Sequence, residues 1–343
     1  MKLTPRAKYL SRRKVLVLGG APDGENIARE LLRRPDRYNV IGIFDDRWER
    51  LEEQGVTHSA PMLGSVDDMI TLCREDLPDM IVIAIFDAGR ERLRNIVRKV
   101  IVLPVDIYLA TDIFPPGFSN GALQDDGLDI CLLPISKAPL SGGWFWVKWV
   151  EDKIFSLLFI AAFLPLYALI ALLIKIDSRG PVFFVQNRYG FNDKVIKVLK
   201  FRTMYVDKGD PTGAGRTVRN DPRVTRIGRY LRNFSLDELP QFFNVLRGEM
   251  SVVGPRAHAT AMRVDNELYE KAIDCYSARH RVRPGMTGLA QVRGYRGEIT
   301  SREAAQKRVD CDLYYITHWS LGLDLKIILK SIGIVLFSRE NAF

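Results

Sequence analysis

Between Ile154 and Ile174 the sequence reads IFSLLFIAAFLPLYALIALLI: twenty-one residues without a charge, with only Ser156 and Pro165 outside the apolar set. About 20 such residues form a helix long enough to cross the hydrocarbon of a bilayer. Soluble cores seldom require so long an uncharged run, although a fully buried core helix has the same signature. Pro165, at the middle, removes a backbone donor and clashes with the preceding turn, which predicts a break or kink there. Lys148 and Lys153 precede the run, and Lys175 and Arg179 follow it. Basic charge on both flanks removes the asymmetry that orients a spanning helix. We therefore expect a helix that enters the membrane, kinks at Pro165 and leaves on the same face. Trp144, Phe145, Trp146 and Trp149 stand just before it, where aromatic rings suit the headgroup layer.

The rest of the chain is ordinary by comparison. Of 343 residues, 47% are hydrophobic and 27% charged, enough to build a core and too apolar for disorder. Fifty Lys and Arg oppose 41 Asp and Glu, and the net charge of +9 points to an anionic partner: nucleic acid, a phosphorylated ligand or acidic lipid. The four cysteines, Cys73, Cys131, Cys275 and Cys311, are scattered and form no CxxC pair. That excludes a disulfide framework and a zinc ribbon and favours a reducing compartment. Four scattered histidines without an HxxxH pair argue against a zinc hydrolase. The basic stretch Met1 to Arg13 has no apolar segment behind it, so no secretory signal is expected.

Ahead of the apolar run, short apolar strands alternate with helical stretches. Strands are expected at Lys14–Leu18, Val40–Phe44, Met80–Phe86 and Val102–Leu109, which implies a Rossmann-like parallel sheet. Gly19, Gly20 and Gly24 form GGxxxG where a dinucleotide fingerprint has GxGxxG, and Asp45 lies 21 residues after Gly24, near a ribose-binding position. A strand-to-helix turn with no ligand explains these residues equally well. Beyond the apolar run, Val182–Gln186 and Lys194–Phe201 read as a hairpin turning at Arg188–Gly190. A Gly- and Asp-rich loop, Asp207 to Gly215, follows, then Arg216, Arg219, Arg223, Arg226, Arg229 and Arg232. Pro222 interrupts this stripe and Tyr230 is its only aromatic, a poor pattern for nucleic acid.

Directly after these arginines comes SLDELP, Ser235 to Pro240. Read locally it is a capping box, with Ser235 as N-cap and Glu238 three positions into a helix. The arginine density points further, to a phosphoryl site whose substrate charge must be neutralised. An aspartate at a helix start beside arginines is expected to stay ionised and to be able to attack phosphorus. A neighbouring glutamate can hold Mg2+ through hard oxygen ligands.

From Lys175 onward the chain resembles the bacterial monotopic phosphoglycosyl transferases, the polyprenyl-phosphate hexose-1-phosphate transferases. The matching runs are SRGPVFFVQNRYG (178–190), KFRTM (200–204), RNFSLDELPQFFNVLRGEMSVVGPR (232–256), RPGMTGLAQVRGYRG (283–297) and RVDCDLYYITHWSLGLDLKII (308–328). The kinked segment at Pro165 sits where this family has a re-entrant helix, and the first domain looks like the Rossmann-like domain of its larger members. The implied fold is α/β, with a Rossmann-like domain at 1–140, an interfacial linker and re-entrant helix at 141–180, and a small α+β transferase domain at 181–343 with amphipathic interfacial helices. The Leu321–Phe337 run, with Lys326 and Lys330 four apart, suits one such helix, and a core helix equally.

The resemblance implies that Asp237 is the nucleophile, displacing UMP from a UDP-sugar and carrying the sugar phosphate covalently. It implies that Glu238 is the partner carboxylate near Mg2+, that Asp312 is a further acid at the metal site, and that Arg232, Arg256, Lys200 and Arg202 meet substrate phosphates. Implied partners are the UDP-sugar, undecaprenyl phosphate, the cytoplasmic face of the inner membrane, downstream glycosyltransferases and a second copy in a homodimer, without nucleic acid. Gly294-Tyr295-Arg296-Gly297 resembles members that transfer glucose 1-phosphate, though a solvent loop explains Tyr295 and Arg296 equally well. Two departures stand out. Ala257 replaces the proline of VGPRP, and the chain shows no membrane helices before its Rossmann-like domain, as larger members do.

Overall fold

The computed structural model describes residues 12–86, 89–111, 130–208, 221–265, 267–295, 297 and 301–337. Arg216, Arg219, Arg296 and most of the Asp207–Gly215 loop lie outside them. The chain divides into two compact units, Met1–Gly142 and Gly143–Phe343.

The first unit runs β1 (Arg13–Leu18), α1 (Pro22–Leu32), β2 (Tyr38–Phe44), α2 (Trp48–Glu53), α3 (Val66–Glu75), β3 (Met80–Ile83), α4 (Arg90–Val100), β4 (Asp106–Thr111) and β5 (Cys131–Ser136). The sheet order is β2-β1-β3-β4-β5. The first four strands are parallel, and β5 runs antiparallel to β4. Both faces of the sheet are covered. Val15 and Val17 pack with Ile27 and Leu31 of α1, whereas Leu16 and Leu18 pack with Met69 of α3 and Ile96 of α4. Burial on both sides is why β1 and β3 read as unbroken apolar runs.

The second unit runs α5 (Gly143–Asp177), β6 (Phe183–Tyr189), β7 (Val195–Phe201), α6 (Arg226–Asn233), α7 (Gln241–Arg247), β8 (Ser251–Val253), β9 (Arg263–Val264), β10 (Glu267–Leu268), α8 (Tyr269–Ala272), β11 (Gly285–Thr287), α9 (Leu289–Val292), α10 (Arg302–Thr317) and α11 (Leu321–Phe337). β6 and β7 form the expected antiparallel hairpin, with its turn displaced to Gly190–Lys194. β8 pairs in parallel with β11.

Helix α5 continues through Pro165, so the proline does not end it. It is long and apolar enough to cross a membrane, yet only 17% of its most apolar stretch is buried. A core helix would be covered all round. Here Leu157, Leu164, Leu172 and Ile176 are exposed, and the opposite face packs on the second unit. Phe159 stacks on Phe242, the Tyr167 hydroxyl donates to the Leu239 carbonyl at 2.7 Å, and Ile170 and Ile174 bury against Phe201 and Leu231.

The two lysines ahead of the apolar run, expected to flank the membrane, turn inward instead. Lys148 is buried among Asp324 (2.6 Å), Asp152 (3.2 Å) and Glu151 (3.3 Å). Lys153 donates to the carbonyls of Val245 and Leu246, which end α7. Of the aromatic cluster, Trp144 and Trp146 are exposed, and Trp144 meets Trp319 edge to face. Helix α11 buries Asp324, Ile327 and Ile328 and exposes Leu325, Leu329, Lys326 and Lys330. It is therefore neither wholly core nor wholly surface.

Candidate active site

Asp237 and Glu238 do not open a helix. They lie in a single 3-10 turn, Leu236–Glu238, between α6 and α7. Ser235 is in the left-handed region at φ 55° and makes no side-chain cap. The expected capping box is therefore absent. The turn presents both carboxylates to the end of β7. Lys200 Nζ donates to Glu238 Oε1 at 2.8 Å and lies 3.9 Å from Asp237 Oδ2. Arg256 grips Glu238 through both terminal nitrogens, Nη1 reaching Oε2 at 3.1 Å. Such a two-pronged pair fixes the carboxylate's orientation as well as its charge.

Arg232 arrives from α6. Gly228 lets that helix press on the end of β7: a Cβ there would sit 2.1 Å from the Thr203 carbonyl oxygen. Arg232 Nε then donates to Thr203 Oγ1 at 2.9 Å, and its charge acts on Asp237. A fourth cation, which sequence reasoning missed, is Arg188 of β6. Its Nη1 donates to the Ala257 carbonyl at 2.7 Å, Nη2 donates to Gln186 Oε1 at 2.8 Å, and it interacts electrostatically with Asp237, Glu238 and Arg256. Its place in the QNRYG run was the available signal.

The two acids differ sharply in proton affinity. Burial pushes Asp237 above the usual carboxylate range, and the Glu238 charge adds to this, against the pull of Lys200, Arg232 and Arg256. Burial acts on Glu238 too, but Arg256 and Lys200 outweigh it and hold Glu238 well below that range. Asp237 is thus harder to ionise than its arginine surroundings suggest, because Glu238 is the acid that pairs directly with Lys200 and Arg256.

Other expected residues lie elsewhere. Arg202 sits just past the end of β7 and donates to the carbonyls of Arg179 (2.9 Å) and Ser178 (2.7 Å), tying down the chain that leaves α5. Asp312 is not beside Glu238. It is buried against Arg279, whose Nε and Nη2 reach it at 3.0 and 2.6 Å. Arg279 Nη2 also donates to the Arg256 carbonyl at 2.7 Å, so this pair supports the back of Arg256. Among the described residues no three His, Cys, Asp or Glu side chains gather as a metal cage. Of the arginine stripe, Arg223 pairs with Asp221 at 2.7 Å, Arg226 and Arg229 are exposed, and Arg232 joins the acids. Tyr295 is half-buried and its amide donates to the Ala290 carbonyl at 3.0 Å.

In the first unit, the glycine turn is closed by its own chain. A Cβ on Gly24 would lie 1.9 Å from the Gly19 carbonyl oxygen, so close helix–strand packing accounts for that glycine. Asp45 is buried, and its carboxylate accepts from the Gly20 amide at 2.9 Å, from the Arg47 amide at 2.9 Å, and from the Arg47 and Arg92 guanidiniums. The Gly20 amide, which would face a nucleotide phosphate, is already used.

Residues 4–111 match the CoA-binding domain family, and residues 144–338 match the bacterial sugar transferase family. The chain is 40% identical over 99% of its length to an undecaprenyl-phosphate glucose phosphotransferase of Komagataeibacter xylinus, covering 62% of that protein. It is 38% identical over 94% of its length to a UDP-glucose:undecaprenyl-phosphate glucose-1-phosphate transferase of Klebsiella pneumoniae, covering 67%. A UDP-N-acetylgalactosamine-undecaprenyl-phosphate N-acetylgalactosaminephosphotransferase of Aeromonas hydrophila is 39% identical over 56% of this chain and 44% of its own. The chain thus spans roughly three fifths to two thirds of the two glucose-named relatives. Its transferase unit, with paired acids set among four cations and an apolar helix at its margin, belongs to the bacterial sugar transferase family.

Proposed function

We propose that this chain transfers a hexose 1-phosphate, glucose 1-phosphate first among candidates, from a UDP-sugar to undecaprenyl phosphate and releases UMP. The observation that carries this reading is the charge balance at Asp237. Lys200, Arg188, Arg232 and Arg256 surround two carboxylates, leaving two positive charges in excess. That excess matches a sugar-nucleotide diphosphate with two negative charges. Relatives named for UDP-glucose support the sugar, and the Aeromonas relative keeps N-acetylgalactosamine as the second reading.

The chemistry follows from the residues. An Asp237 oxygen attacks the sugar-bearing phosphorus, forming an acyl phosphate as the bond from that phosphorus to the bridging oxygen breaks. UMP leaves with that electron pair. An oxygen of the polyprenyl phosphate then attacks the same phosphorus, and the aspartyl carboxylate is released. Glu238, held ionised, keeps Lys200 and Arg256 in place for the developing charge on the leaving group. Two carboxylates beside a diphosphate suit Mg2+, which uses one or two acids and takes its other ligands from phosphate and water. When bound, the ion supplies charge neutralisation to the phosphates, and Glu238 is the residue that would hold it. Asp312, which lies behind Arg256 against Arg279 and not beside Asp237, would not. In a Mg2+ titration of UMP release, Glu238→Gln is expected to raise the half-saturating concentration about tenfold or more. Asp312→Asn should leave that midpoint in place while lowering stability.

The reading of attachment is monotopic, on the cytoplasmic face of the inner membrane, with a bend of α5 at Pro165. It is supported by the contacts along α5: Lys148 meets Asp324 near one end, and Asp177 accepts from the Ile227 amide at 3.0 Å at the other. A helix held at both ends by one unit offers lipid a face rather than a crossing. The test is UMP release from UDP-glucose, UDP-galactose and UDP-N-acetylhexosamines, with and without undecaprenyl phosphate. Release with UDP-glucose, and formation of the lipid-linked diphosphate sugar, is the expected result. No release with any of these sugars would end the proposal.

A further inference from the structure

Beside the catalytic turn, helix α6 carries an outer face that the reaction does not use. Arg226, Arg229, Tyr230 and Asn233 lie along one side at helical spacing and are exposed, Tyr230 at 65% and Phe234 just beyond at 46%. The opposite side packs inward through Gly228 and Leu231. An exposed tyrosine and phenylalanine four apart, flanked by arginines, have an apolar body and cationic edges, the composition of an interfacial helix rather than of a solvated one.

Its position strengthens the point. The Ile227 amide donates to Asp177, the last residue of α5, so α6 begins where the apolar helix ends. On α5 the last exposed apolar side chains are Leu172 and Ile176, and Lys175 and Arg179 beside them are exposed too. Lys175, Arg179, Arg226 and Arg229 thus cluster at one end of the lipid-facing helix. Among the described acids of the same region, Asp177 caps α6, Asp221 holds Arg223, and Asp207 is exposed. The cluster keeps an excess of positive charge.

We infer that the outer face of α6, with the end of α5, docks on the headgroups of bulk anionic phospholipid. This inference rests on the monotopic reading of α5 and adds a lipid preference to it. Charge complementarity and continuity with the apolar face of α5 select this occupant. Nucleic acid is a poorer match, because Pro222 precedes the helix and the aromatics stand on the same face as the arginines, where they would insert between lipids. Docking here also sets Arg232, on the flank of the same helix, close to the plane where a lipid phosphate is presented.

The experiment uses the full chain reconstituted into vesicles of phosphatidylcholine alone or with about 30% phosphatidylglycerol, a content typical of an anionic leaflet in its effect on basic segments. A fluorophore is placed at Tyr230→Cys, and separately at Asn233→Cys, in a Cys275→Ser background that removes the exposed native thiol. Nitroxide-bearing headgroups serve as the quencher. We expect at least about a twofold increase in quenching with phosphatidylglycerol, lost in high salt and lost in the Arg226→Gln/Arg229→Gln variant. Three results would overturn the inference: vesicle-bound protein with both labels unquenched, an increase that survives in the double variant, or an increase that needs polyprenyl phosphate or is competed away by RNA. Protein that does not float with vesicles at all would remove the monotopic reading itself, and this inference with it.

Discussion

Asp237→Asn is expected to lower UMP release in the absence of acceptor by at least about a thousandfold, while UDP-sugar binding is kept or tightened. The amide has the shape of the carboxylate but cannot form the acyl phosphate, and losing a group that must bond in the transition state affects turnover far more than binding. Binding should not suffer. The substitution removes one negative charge from a site that already has Lys200, Arg188, Arg232 and Arg256 facing a dianion. A loss in kcat with KM unchanged or lower is therefore the result expected of a group that acts in the chemical step. Normal UMP release from this variant would leave Asp237 without the role assigned to it. The wild-type pH profile should agree. Burial holds Asp237 above the ordinary carboxylate range, so the attacking anion is scarce at low pH and release rises tenfold per pH unit until that group titrates. Lys200 and Arg256 both favour the anion. Arg256→Gln must therefore move the rising limb to higher pH, and a shift to lower pH would contradict the placement of the charges.

The parallel sheet was legible because burial on both faces leaves unbroken apolar strands, and Val15–Leu18 and Met80–Ile83 have no other reading. Strand β5 was not. It lies at the edge, carries Pro134, and returns antiparallel, so neither periodicity nor crossover length announces it. The paired acids Asp237 and Glu238 stand out in the sequence only through their long ordered surroundings. Taken locally, Ser235 to Glu238 is a capping box, and the left-handed Ser235 backbone that defeats it has no local signature. Lys200 and Arg202 show the limit of counting by twos. A strand would put both on one face, but β7 ends at Phe201, and Arg202 turns away to the carbonyls of Ser178 and Arg179. Arg188 and Arg279 act through partners distant in sequence, Ala257 and Asp312, which no spacing rule reaches. The same holds for Lys148. It reads as a flank of the apolar run because its partner Asp324 is 176 positions away.

That buried lysine makes the second large prediction. Lys148→Met is expected to destabilise the second unit by about 3–5 kcal/mol, the usual cost of stranding buried charge by removing one partner. Three carboxylates meet Lys148, and the side chains of Lys148, Glu151, Asp152 and Asp324 are 7%, 3%, 4% and 0% exposed. Methionine fills the space of the stem and offers no charge, so the loss reports electrostatics rather than a cavity. Some of the acids keep other donors. Asp152 accepts from Ser251 Oγ and the Val252 amide, both at 2.9 Å, and Asp324 accepts from the Tyr315 hydroxyl at 2.8 Å and Trp319 Nε1 at 2.9 Å. Those bonds stop short of neutralising the group, and one oxygen each of Glu151 and Asp152 has no hydrogen-bond partner. Adding Asp324→Asn to Lys148→Met should therefore recover part of the stability, because it removes one buried negative charge and an amide can still bond Tyr315 and Trp319. Against the wild-type lysine, the same Asp324→Asn should cost less than Lys148→Met, since Glu151 and Asp152 still balance the ammonium. Thermal unfolding of the purified protein in detergent reads all four proteins, and a cost of this size lowers the midpoint by about 6–20 °C. Since these residues tie the first turns of α5 to α11 and β8, the loss should also loosen the aromatic cluster ahead of the apolar run. Quenching of the half-buried Trp149 by a soluble quencher should then rise well below the unfolding midpoint. An unchanged midpoint in Lys148→Met would mean that these carboxylates are solvated, and that the start of α5 is held by its aromatic contacts alone.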